Sequence, residues 1–77
     1  MSGASGETQH LISMANQIAL NHGIGADEDS AVAKVADHIG RFWARPMRES
    51  LCAILDDRGE ELTPIALKAM RKIQDAL

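Results

Sequence analysis

Histidine, cysteine and clustered carboxylates are the groups in this chain with chemical potential, and none stands at a reactive spacing. His10, His22 and His38 are dispersed, without the i,i+4 pairing by which two imidazoles on one helix grip a zinc ion. Asp37 and His38 are sequence neighbours, so on a helix their side chains diverge by about 100° instead of meeting. His38 is expected at the edge of a core stripe, beside Phe42. Cys52 is the single cysteine. Arg48, four residues earlier, would draw its pKa slightly down, but no histidine at helical contact spacing makes it a nucleophile. Asp27-Glu28-Asp29 and Asp56-Asp57-Arg58-Gly59 lack the alternating ligands and bidentate Glu of a calcium loop. No glycine-rich phosphate loop occurs, and catalysis by this chain alone is not expected.

The unusual segment is Asp37-His38-Ile39-Gly40-Arg41-Phe42-Trp43-Ala44-Arg45-Pro46, running into Met47-Arg48. It holds the only Phe and the only Trp of the protein, side by side. Arg41, Arg45 and Arg48, three of eight cationic residues, fall here with no acid between them, in a chain of net charge −3. Exposed aromatics and arginines are the residue types that anchor protein interfaces. The segment therefore predicts a partner-binding surface of His38, Arg41, Phe42, Trp43, Arg45, Met47 and Arg48. Phe42 and Trp43 also fit a core face, and both readings stay open, because a helix of about four turns rarely covers both sides.

These residues need elements to carry them. Seventy-seven residues make one small domain, with a hydrophobic fraction of 45% that argues against disorder. The apolar residues are mainly Ala, Leu, Ile, Val and Met, with no Tyr, a composition suited to interdigitating helices. The acidic balance disfavours general nucleic-acid binding, which rests on a basic surface. A lone cysteine precludes an intramolecular disulfide and fits a reducing cytosol. No apolar run reaches the roughly 18 residues of a membrane helix. Residues 1–6 are small and polar and are expected to form a mobile tail, leaving 7–77 as a single helical domain.

Periodicity predicts an all-α, compact bundle of three to four helices. The first runs from Glu7 to about His22, with Leu11, Met14, Ala15, Ile18 and Ala19 inward, and stops at Gly23 as C′ residue. Asp27 is the N-cap candidate of the second, whose stripe is Val32, Val35, Ala36, Ile39, Phe42 and Trp43. Pro46 is expected to break the chain at Arg45 and to open a third helix carrying Met47, Leu51, Ile54 and Leu55, closed by Gly59. Thr63-Pro64 starts the fourth, with Ile65, Ala66, Ala69, Met70, Ile73, Ala76 and Leu77 inward. Leu20 and Leu67 project away from their stripes and are expected in a protein contact or a second small cluster.

The strings Leu11-Ile12-Ser13-Met14-Ala15-Asn16-Gln17-Ile18-Ala19, Val35-Ala36-Asp37-His38-Ile39-Gly40-Arg41-Phe42-Trp43 and Met47-Arg48 resemble the delta subunit of cytosolic NAD-dependent formate dehydrogenases. The likeness runs from about Leu11 to Leu77 and includes Glu61-Leu62-Thr63-Pro64 before an Ala/Leu helix. It departs at Arg45, which here precedes Pro46 and Met47. The resemblance implies a cofactor-free subunit of a molybdenum- or tungsten-dependent complex. Its large subunit would carry bis-molybdopterin guanine dinucleotide and iron–sulfur clusters, and further subunits FMN for the reduction of NAD. The delta subunit would support assembly, cofactor insertion or stability of the large subunit. Arg41 and Arg48 are then expected to face acidic or carbonyl groups of that partner. The rival readings are a helix-turn-helix DNA binder around Arg45-Pro46 and a stand-alone homodimeric regulator.

Overall fold

The computed structural model describes residues 3–76, and among them every regular element is helical. Helix α1 spans Gly3–Gly23, α2 Glu28–Phe42, α3 Arg45–Cys52, α4 Leu55–Arg58 and α5 Pro64–Ala76, with a 3-10 turn at Gly59–Glu61. The all-α expectation holds, with five helices in place of three to four. The extra helix comes from the expected third one, which is interrupted at Ala53 and Ile54. Ile54 adopts φ −106° and ψ 4°, and its amide donates to Leu51 at 3.2 Å, tightening the turn. Neither Ala nor Ile breaks a helix by itself. The interruption instead redirects the chain so that Leu55 and, beyond the 3-10 turn, Leu62 both enter the core.

Helix α1 takes in residues 3–6, four of the six set aside as a tail, and Met1, Ser2 and Leu77 lie outside the described residues. Its end also differs from expectation. Gly23 is the last helical residue, and the left-handed conformation falls to Gly25, at φ +75°. A side chain there would be strained, which explains the glycine. The caps of α2 and α5 form as the residue types require. Asp27 accepts from the Ser30 amide at 3.3 Å, and the Ser30 side chain together with that amide holds the Asp27 carboxyl below its usual range. The Thr63 hydroxyl accepts from the Ala66 amide at 3.2 Å, with Pro64 as the first helical residue. Trp43 and Ala44 are extended, so the break precedes Arg45 by one residue, and Pro46 sits in the first turn of α3, where its missing N–H costs nothing.

The core is wholly apolar among the described residues. It unites Leu11, Ile12, Ala15 and Ala19 of α1, Val32, Val35 and Ile39 of α2, Leu51 of α3, and Ala66, Ala69, Met70 and Ile73 of α5. Helix α5 lies along α2 in the same direction. Lys68 pairs with Glu28 near their first turns at 2.7 Å, and Gly40 and Ala76 border a common groove near their last. Gly59 lies close to Leu67, where a Cβ would stand 3.3 Å from Leu67 Cδ1 and that side chain would have to shift slightly. Leu67 packs half-buried against the core.

One side chain ties the α4–α5 corner to α1. Asn16 Nδ2 donates to the Glu61 carbonyl at 2.9 Å, and its Oδ1 accepts from the Thr63 amide at 2.9 Å. Arg58 adds a second tie, donating to Gln9 at 2.7 Å and to both oxygens of Glu61. Replacing Asn16 with Ala removes both amide bonds and is expected to cost about 1–3 kcal/mol. In a domain of this size each kcal/mol lowers Tm by roughly 4–8 °C. Thermal denaturation followed by circular dichroism checks this, and a melt within 2 °C or so of the parent's would remove the brace from the account.

Candidate interaction surface

The end of α2 separates the two aromatics. Phe42 is its last residue and projects outward, 72% exposed. Trp43 turns into extended backbone at φ −88° and ψ 137°, and its indole enters the core at 6% exposed. Of the two readings of each residue, Trp43 thus takes the core one and Phe42 the surface one. The Phe42 ring lies 4.8 Å from His38, as their i,i+4 spacing requires, and His38 lies 5.4 Å from His22 of α1. That second neighbour depends on how α1 and α2 cross, so no local signal announces it.

The arginine cluster is less charged than its sequence suggests. Arg41 Nε donates to Asp37 at 3.0 Å, and Arg45 Nε to Glu49 at 2.9 Å, each one helical turn away. Both pairs are solvent-exposed and contribute only a few tenths of a kcal/mol, but they neutralise two of the three charges. Arg48 has no such partner among the described residues. It is half-buried, and its Nε is buried without a hydrogen bond. Met47, beside it, packs half-buried on the core. The seven residues expected to form the surface therefore divide. Phe42, Arg41 and Arg45 are outward, His38, Met47 and Arg48 are half-buried, and Trp43 belongs to the interior.

Arg48 opens on a groove of about 340 Å³ between α2, α3 and α5. Ala36, Gly40, Ile73 and Ala76 supply its small aliphatic lining, and Arg48, Lys72 and the Asp37–Arg41 pair its charged one. Lys72 is the member that sequence proximity could not reveal, because it arrives from α5. A second, apolar hollow of about 270 Å³ lies by the end of α1, where Leu20 and Ile24 are 60% and 77% exposed beside Ile65.

The remaining chemistry-bearing residues do not assemble. Among the described residues no three His, Cys, Asp or Glu side chains converge as a metal would require. Cys52 is buried, and burial raises its pKa, outweighing the opposite pull of Arg48 and Arg71. This reverses the expectation of a slightly acidified thiol. Glu61 is held below its usual range chiefly by its bond to Arg58, and Asp56 pairs with Arg71 at 3.1 Å, so these acids serve the fold. No helix among the described residues is long and apolar enough to cross a membrane.

The segments that shape this architecture are those that carry the family likeness. Asn16 of the first string clasps Glu61 and Thr63 of the last, and the middle string forms the aromatic end of α2. Comparison with curated proteins and with solved structures returns no match. A family model, that of the NADH-dependent formate dehydrogenase delta subunit FdsD, matches residues 10–70, from within α1 through the first half of α5. The chain belongs to the FdsD family of formate dehydrogenase delta subunits.

Proposed function

We propose that this protein is a non-catalytic accessory subunit of a cytosolic NAD-dependent formate dehydrogenase. In this reading it docks on the large molybdopterin-bearing subunit and supports that subunit's assembly, cofactor insertion or stability. Family membership supplies the enzyme. The observation that carries docking is Phe42, a large aromatic left 72% exposed at the end of α2, flanked by Arg41 and close to Arg45. An exposed Phe adds little to its own fold, whereas a desolvated aromatic ringed by polar groups is the usual anchor of an interface.

Bis-molybdopterin guanine dinucleotide, iron–sulfur clusters and FMN then reside on partner subunits. Among the described residues the single thiol is buried and no three His, Cys, Asp or Glu side chains converge, so they do not offer the thiolate set of an iron–sulfur cluster. DNA binding finds less support, since Arg41 and Arg45 at the α2–α3 junction are each paired with an acid. Co-expression with the large subunit is the test. A tagged form of this chain should co-purify stoichiometrically with it, and omission of this chain should lower the yield or molybdopterin content of the large subunit. Failure to co-purify, with an unchanged large subunit in its absence, would reject the reading.

A further inference from the structure

The groove between α2, α3 and α5 has three features that the fold itself does not use. Five of the protein's eight Lys and Arg residues are paired with an acid: Arg41, Arg45, Arg58, Lys68 and Arg71. Among the described residues Lys34, Arg48 and Lys72 have no such acid, and the latter two line this one groove. Arg48 Nε is also buried and, among the described residues, without a hydrogen-bond partner, an unfavourable situation for a polar group withdrawn from water. Finally, Gly40 stands inside α2, where glycine is a poorer helix former than alanine. A Cβ at Gly40 would meet nothing within 4 Å, and no positive φ requires the glycine. Nothing among the described residues explains the missing side chain.

We propose that this groove receives an acidic segment of the large subunit, an Asp or Glu carboxylate seated between Arg48 and Lys72 with its backbone passing over Gly40. The inference rests on the docking role proposed above. Arg48 and Lys72 both line the groove and by their charge suit a carboxylate, and the glycine leaves room for a backbone to approach. The surrounding protein is acidic overall, so a short basic groove selects an acidic stretch by its contrast with the rest of the surface.

Two variants test it in the complex with the large subunit. Arg48→Glu with Lys72→Glu reverses the charge, and Gly40→Leu fills the groove while improving local helix propensity. Each should weaken association at least tenfold with unchanged circular dichroism, and salt should weaken the parent complex more than the double variant. If the wild-type chain binds but either folded variant binds within twofold of it, the groove is not the seat. Loss in the charge reversal alone would indicate only steering at a distance, and also overturns the proposal. If the wild-type chain does not bind the large subunit at all, the docking role fails and this inference with it.

Discussion

Trp43→Ala will strip the protein of a large part of its stability. The indole is 6% exposed and belongs to the same core cluster as Leu11, Ile39 and Leu51. Truncating a buried Trp removes its transfer free energy and leaves a cavity, together about 3–5 kcal/mol. The whole stability of a chain this size is on the order of 4–12 kcal/mol. Trp43 is also the C-cap of α2, its amide donating to Ile39 at 3.0 Å, and it turns the chain toward α3. The lesion thus falls where two helices are joined. Thermal or urea denaturation should show Tm lowered by roughly 12 °C or more. A variant melting within a few degrees of the parent would mean that the indole is not a core element.

Phe42→Ala, one residue away, is expected to do the opposite. With 72% of its surface already in water, its loss should change stability by no more than about 0.5 kcal/mol. Its contact with His38 at 4.8 Å is itself on the surface and adds little to folding. In the complex the same ring would be desolvated, and truncation of an interface aromatic costs about 2 kcal/mol, or roughly thirtyfold in Kd. Titration of the isolated variant against the large subunit, with a thermal melt as control, separates the two effects. A folded variant that binds within twofold of the parent would move the apolar anchor elsewhere. The hollow flanked by Leu20 and Ile24 would then be the next candidate.

The contrast between these neighbours marks where sequence reading stops. Helical periodicity places Phe42 and Trp43 on the same broad stripe, and nothing local tells which ring is buried. The decision belongs to the helix terminus. Residue 43 leaves the helix in an extended conformation, and that swings the indole under α2 while Phe42 keeps its helical direction outward. The interruption at Ala53 and Ile54 is of the same kind. Both residues tolerate a helix, and the break pays off only through Leu55 and Leu62, whose burial depends on α1 and α5.

What the sequence by itself determined is what lies within about four residues along the chain. The all-α class follows from apolar residues recurring with helical period. The starts of α2 and α5 follow from Asp27 and Thr63-Pro64, whose oxygens reach amides three residues on. The family could be read from short strings because each of them is contiguous. What only the tertiary structure decided involves partners brought together from distant positions. Asn16 bridges to Glu61 and Thr63, His22 meets His38, and Arg48 of α3 shares a groove with Lys72 of α5. Even the charge of the arginine segment changed its meaning, since Asp37 and Glu49 lie just outside it and cancel Arg41 and Arg45 but not Arg48. Local rules set which residues are helical and which face is apolar. Crossing angles and helix ends, set by packing of the whole core, choose which side chains meet.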